Sequence, residues 1–244
     1  MPNSDPTPGV AIVTGASQGL GRALTAALAD RGWTVVIDAR RADRLERALD
    51  DFGAESVRGR VIGLAGDVAD GDHRRALGAA SAAVGPIKLV VNNASTLGAT
   101  PLPTLGELDA ATWARVFDVN VIAPFALVRE LGDQLATGAT VINITSDAGV
   151  EAYEGWGGYG ASKAALEHAS RVLAAERTDL RVLIVDPGDM RTEMHQDAFP
   201  GEDISDREPP ESSVPGLLAL IEGEQPSGGR YRAREIAATE RSAT

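Results

Sequence analysis

Val10-Ala11-Ile12-Val13-Thr14-Gly15-Ala16-Ser17-Gln18-Gly19-Leu20-Gly21-Arg22 decides how this chain folds. Four apolar residues make a short strand. Gly15, Gly19 and Gly21 follow at the spacing G-x-x-x-G-x-G. Glycine lacks a Cβ, so the backbone can turn sharply there and approach a ligand closely. The helical pattern from Leu20 to Asp30 points its free N-terminal N–H groups back at that turn. Strand, glycine turn and helix in this order form a cradle for a pyrophosphate. Taken alone, the pattern also suits a tight turn that holds nothing, so the rest of the chain has to decide.

Downstream, the same alternation repeats. Strand patterns at Thr34–Ile37, Val61–Ala65, Ile87–Val91, Thr140–Thr145 and Arg181–Val185 are short Val, Ile and Leu runs between turn residues. Helical spacing separates them at Asp43–Asp51, Asp72–Val84, Leu105–Leu135 (broken near Asn120) and Tyr159–Glu176. A further short strand falls near Gly229–Arg232. Uninterrupted apolar strands are buried on both faces, and strand–helix alternation implies a parallel sheet. The expected fold is α/β: a Rossmann-type doubly wound parallel sheet, single domain, in three α/β/α layers. Residues 1–8 are expected as a disordered N-terminal tail, 9–232 as the domain, and 233–244 as a C-terminal tail that is charged and Ala-rich. The acidic, proline-rich stretch within 190–215 breaks the alternation and is expected to be a substrate loop.

Composition narrows the function. Cysteine is absent, which removes disulfides, thiolate metal sites and a Cys nucleophile. His73, His168 and His195 make no metal-ligand spacing, so no metal is expected. The net charge is −12, which argues against a nucleic-acid surface. No stretch approaches the roughly 20 apolar residues of a membrane span, and Met1–Pro8 lacks the regions of a signal peptide. A cytoplasmic protein is the expectation.

Tyr159 and Lys163 carry the chemistry. The chain has 23 Lys plus Arg, yet only Lys88 and Lys163 are lysines. At i and i+4 on a helix, two side chains share one face. An ammonium there favours the phenolate and lowers the tyrosine pKa, giving a proton donor usable near neutral pH.

With these residues in hand, the chain resembles the short-chain dehydrogenase/reductase family, in its single-domain branch of about 250 residues. Thr14 to Gly21 resembles that family's glycine turn, with Gly15, Ser17, Gln18, Gly19, Leu20 and Gly21 as cofactor contacts. Asp67-Val68 resembles the pair at the adenine. Asn93-Ala94-Ser95 resembles a segment in which Ser95 replaces the usual glycine. If that glycine takes a positive φ, serine adds strain; if it only permits close approach, serine fits. Pro187, Gly188, Met190 and Thr192 match the segment beside the nicotinamide. Asn120, Ser146, Tyr159 and Lys163 match the catalytic tetrad, Ser146 lying 13 residues before Tyr159. The resemblance implies hydride transfer between a nicotinamide and a carbonyl or secondary alcohol carbon. Tyr159 would be the acid/base, and Lys163 would lower its pKa and bind the cofactor ribose. Ser146 would bind the substrate oxygen, and Asn120 would hold a water or backbone group leading to Lys163.

Nucleotide type is read after the second strand, at Asp38-Ala39-Arg40-Arg41. The position of an NAD-selective acid falls on Ala39. Alternation turns Asp38 the other way. Arg40 falls where a basic residue takes the 2′-phosphate, so NADP(H) is preferred and NAD stays open. Tyr153, Trp156 and Met194, with Ser146 and Tyr159, are the expected substrate contacts, suited to a small nonpolar carbonyl or alcohol. Small residues along the Tyr159 helix, with the resemblance, imply a homodimer or homotetramer. The competing readings are an NAD-dependent alcohol dehydrogenase, a non-catalytic nucleotide sensor on the same fold, and a scaffold without cofactor. The intact tetrad and glycine turn count against the last two.

Overall fold

The computed structural model describes residues 8–54 and 59–243. In chain order the elements are β1 (Val10–Val13), α1 (Gly19–Asp30), β2 (Thr34–Ala39), α2 (Ala42–Ala54), β3 (Arg60–Ala65), α3 (Gly71–Ala82), β4 (Ile87–Asn92), α4 (Ala110–Phe117), α5 (Ala123–Leu131) and β5 (Leu135–Ile144). There follow α6 (Gly157–Glu176), β6 (Arg181–Asp186), α7 (Glu193–Ala198), α8 (Val214–Glu222), β7 (Arg230–Arg232) and α9 (Ala233–Ala243). The strands form one sheet in the order β3-β2-β1-β4-β5-β6-β7, every pair parallel. Alternation along each strand sends neighbours to opposite faces. Val13, Ile37, Val91 and Leu183 pack with Leu24 and Leu28 of α1 and Leu217 and Leu220 of α8. Ile12, Val36, Val90 and Val182 pack on the other face with Leu77 of α3 and Leu127 and Leu131 of α5. This is the three-layer α/β/α arrangement. The chain order reverses between β1 and β4, and that switch point opens a crevice at the carboxyl ends of the strands.

Four expectations need correction or refinement. The region after residue 232 is the helix α9 rather than a tail, because Ala233 and Ala237, four residues apart, are buried. The long helical region begins at Ala110, and its break is a π-helical turn over Asp118–Ile122 that holds Asn120. The stretch Ala110–Gln134 is also long and apolar enough to cross a membrane by length and composition, contrary to the sequence reading. Its apolar side serves the fold: Val116, Val119, Ala123, Leu127 and Leu131 are buried. The 190–215 stretch is not bare loop, since it contains α7 and a 3-10 turn at Pro210–Ser213. The tail expected at 1–8 lies, except for Pro8, outside the described residues.

Candidate functional site

The glycine turn is built from both sides. Gly15 and Gly19 have φ of 65° and 56°, values that side-chain-bearing residues rarely adopt. Behind Gly15 a Cβ would lie 2.8 Å from the Ala94 Cα, so the backbone approach there also requires glycine. A Cβ on Gly19 would instead project toward the Thr192 side chain, 3.5 Å away, across the cavity. Gly21 faces away from the cavity, and its missing Cβ makes room for the Asn93 amide. That amide donates to the carbonyls of Thr14 (2.8 Å) and Gly15 (3.1 Å), bracing the turn. Asp38 lines the cavity, but its carboxylate is engaged by the turn: it accepts from the Gly15 N–H (2.6 Å) and pairs with His73 Nε2 (3.1 Å).

A cavity of about 740 Å³ runs from this turn to an aromatic pocket. Its first end is lined by Gly15, Ser17, Gln18, Gly19 and Leu20, then by Arg40, Asp67 and Val68. Arg115 pairs with Asp67 at 2.5 Å. Burial pushes the Asp67 carboxyl up, but the Ala69 N–H and Arg115 outweigh it and hold the group below the usual carboxylate range. The middle is lined by Asn93, Ala94, Ser95, Tyr159 and Lys163, with Pro187, Gly188, Met190 and Thr192 opposite. No non-glycine residue among those described has positive φ, so Ser95 carries no backbone strain. The far end is lined by Ser146, Tyr153, Trp156 and Met194. The volume, the glycine cradle and the free N-terminus of α1 fit a dinucleotide. Among the described residues, no group of three or more His, Asp or Glu could hold a metal.

Asn120 is not on the cavity wall. It is buried and uses both ends of its amide: Nδ2 donates to Thr96 O (2.9 Å) and Ser162 Oγ (3.0 Å), while Oδ1 accepts from Thr96 N (2.8 Å) and Ser95 Oγ (3.2 Å). It therefore holds the loop after β4 in place. Ser162 continues this line by donating to Tyr159 O at 2.6 Å. Ser146 donates to Asp147 Oδ1 (2.9 Å), and Tyr153 donates to the other oxygen of that carboxylate (2.9 Å). Trp156 packs edge-on against Tyr159 and also against Phe199. Beside them, the buried His195 Nε2 has no hydrogen-bond partner.

The Tyr159–Lys163 pair differs from the sequence reading. Lys163 Nζ donates to Ile144 O (2.9 Å) and lies 5.3 Å from the Tyr159 ring centre. Both groups are buried, and burial disfavours whichever form is charged. It raises the Tyr159 pKa above its ordinary value, opposed by the Ser146 and Ser95 hydroxyls, and lowers Lys163 to about 8. The ammonium alone does not pull the phenol down.

Lys163 is accordingly a cost to folding. Its ordinary pKa is 10.5 and its folded value about 8. Below pH 8 both states are charged and the cost is fully present. Between 8 and 10.5 the unfolded chain holds the extra proton, so the cost shrinks as pH rises. Lys163→Met is expected to stabilise the protein at pH 7 by about 2 kcal/mol. Calorimetric unfolding should show the gain fading between pH 8 and 10.5; a variant less stable than wild type at pH 7 would refute this.

Sequence reasoning missed Arg44, Glu193, Asp147, Ser162 and Arg230. Arg44 meets Glu193 from 149 residues away. Arg230 donates to Ser146 O (3.2 Å), Glu167 Oε1 (2.9 Å) and Asp186 Oδ2 (2.9 Å), reaching from the short β7 under the site. Nothing local in the sequence marks either contact.

Comparison with known proteins agrees with this geometry. Residues 9–203 match the family described as short chain dehydrogenase. A short-chain type dehydrogenase/reductase of Picea abies is 35% identical over 195 residues, covering 76% of this chain and 72% of that protein. An NADPH-dependent aldehyde reductase-like protein of Arabidopsis thaliana is 30% identical over 241 residues, covering 93% of this chain and 84% of that protein. The crystal structure of a short chain dehydrogenase from Escherichia coli CFT073, complexed with NADPH, superposes with a TM-score of 0.82 at 30% identity, covering 92% of this chain and 96% of that one. Fold, crevice and these likenesses together settle the family: the chain belongs to the short-chain dehydrogenase/reductase family and is an NAD(P)-dependent oxidoreductase.

Proposed function

We propose that this protein reduces a small nonpolar carbonyl compound with NADPH. The observation that carries the reading is the shared cavity: Tyr159, Ser146 and Lys163 stand where the glycine-turn end meets the aromatic end. Arg40 would take the 2′-phosphate and Asp67-Val68 the adenine. Lys163 would hold the ribose hydroxyls, and Pro187, Gly188, Met190 and Thr192 would flank the nicotinamide. The nicotinamide supplies the hydride when bound. The relatives named with NADPH support the nucleotide choice.

Tyr159 would donate its hydroxyl proton to the carbonyl oxygen, and Ser146 Oγ would turn from Asp147 to the same oxygen and stabilise its growing charge. Burial suits Tyr159 to this direction, because a phenol kept protonated is ready to donate. Lys163, with its pKa near 8, can hand a proton onward at neutral pH. Asn120 would act through position, by fixing Ser95, Thr96 and Ser162. Trp156, Tyr153 and Met194 would form the substrate wall, with His195 Nε2 available for one polar group. Ile122 and Val172 are exposed on the α4–α5 run and α6, which favours a homodimer or homotetramer formed through these elements.

Cofactor-fluorescence titration followed by a panel of aldehydes and ketones with NADPH and NADH tests the reading. Tight NADPH binding with turnover of an apolar member is expected. Binding without turnover would identify a nucleotide sensor, and turnover only with NADH would overturn the nucleotide choice.

A further inference from the structure

The rim of the cavity carries a clasp. Arg44 at the start of α2 meets Glu193 of α7 with two parallel bonds, Nη1 to Oε2 at 2.5 Å and Nη2 to Oε1 at 2.8 Å. The same Nη1 donates to Gln18 Oε1 in the glycine turn. One guanidinium thus joins α2, the turn and α7, and all three partners line the cavity. Arg44 follows Arg40 by four residues on the same rim, while Arg41 between them is bound to Asp43. α7 is also part of the substrate wall, because Met194 and Phe199 pack in the cluster around Tyr159 and Trp156.

A carboxylate is a weaker partner for a guanidinium fork than a phosphate dianion in the same geometry, and a half-exposed pair is screened by water. Glu193 is about half exposed, its side chain at 49%. The pair favours the charged form of each partner: Glu193 is held below the usual carboxylate range, and Arg44 is raised. We propose that Glu193 competes with the 2′-phosphate of the dinucleotide for Arg44, so that a 2′-phosphorylated nucleotide takes Arg44 and frees α7. Arg44 is then a second specificity-determining residue beside Arg40, and nucleotide type governs the freedom of the substrate wall. The inference rests on the NADP reading above.

Two nucleotide fragments separate the cases without any substrate: 2′,5′-ADP carries the extra phosphate and 5′-AMP does not. Calorimetric titration of wild type, Arg44→Gln, Glu193→Gln and Arg40→Gln gives their affinities. Arg44→Gln is expected to weaken 2′,5′-ADP about tenfold and leave 5′-AMP unchanged. Glu193→Gln is expected to tighten 2′,5′-ADP about threefold, again without effect on 5′-AMP. Trypsin cleavage after Arg191 or Arg207 reports on the freed segment. It should accelerate with 2′,5′-ADP but not 5′-AMP in wild type, and should be fast without nucleotide in Glu193→Gln. If wild type does not discriminate between the fragments, the NADP reading itself fails. If Arg40→Gln abolishes discrimination while the Arg44 and Glu193 variants keep it, the NADP reading stands and the competition is overturned.

Discussion

Tyr159→Phe is expected to lower carbonyl turnover by about 10²–10⁴-fold while NADPH binding stays within a few-fold. The substitution removes one hydroxyl and leaves the ring. That ring keeps its edge-on contact with Trp156, and Lys163 keeps its bond to Ile144 O. Protein fold and cofactor cradle therefore survive, and the lost quantity is proton donation at one atom. Steady-state kinetics on the best member of the carbonyl panel, paired with NADPH fluorescence titration, read the two effects separately. Near-normal turnover in the variant would sink the assignment of Tyr159 as the acid. A loss of binding equal to the loss of turnover would show that the hydroxyl belongs to the cradle instead.

The largest effect on stability is expected at Glu167. This buried carboxylate accepts from Thr145 Oγ1 (2.9 Å) and Arg230 Nε (2.9 Å), and Arg171 pairs with its second oxygen (3.1 Å). Arg230 in turn holds Asp186 and the Ser146 carbonyl. One small network thereby fastens β7 and β6 to α6 directly beneath the site. Removing Glu167 leaves Arg230 its Asp186 carboxylate but takes away one charged partner and strands the buried Thr145 hydroxyl, at a cost of about 2–3 kcal/mol. Glu167→Ala should lower stability by that amount in urea unfolding. Combining it with Arg230→Met should lower stability further, because the buried Asp186 carboxylate then loses its guanidinium. A change below about 1 kcal/mol for Glu167→Ala would show that water replaces the carboxylate without penalty.

What could be read in the sequence was whatever has a local signal. The glycine turn, the strand alternation and the spacing of Ser146, Tyr159 and Lys163 are each contained in short windows. Alternation was enough to turn Asp38 inward, and its bond to Gly15 agrees. Contacts between distant segments had no such signal: Arg44 with Glu193, and Arg230 with Glu167, depend on how the sheet order brings strand ends together. Charge state was misjudged for a related reason. The i, i+4 spacing predicts an ammonium that lowers the phenol's pKa, but spacing does not reveal burial: both side chains are buried, and desolvation drives the phenol the other way. The α9 region misled because alanine and charge suggested solvation, although Ala233 and Ala237 recur at helical spacing and are buried.

The inward turn of Asp38 has a consequence for redesign. An acid at the end of the second strand is an inviting target for anyone altering nucleotide choice. Here that acid is part of the turn's foundation, holding the Gly15 N–H on one side and His73 on the other. Its neighbours Ala39 and Arg40 line the same cavity. Nucleotide preference and turn geometry therefore sit on neighbouring residues at the end of β2, and the first can be rewritten at 39 and 40 while the Asp38 carboxylate keeps its bonds to Gly15 and His73.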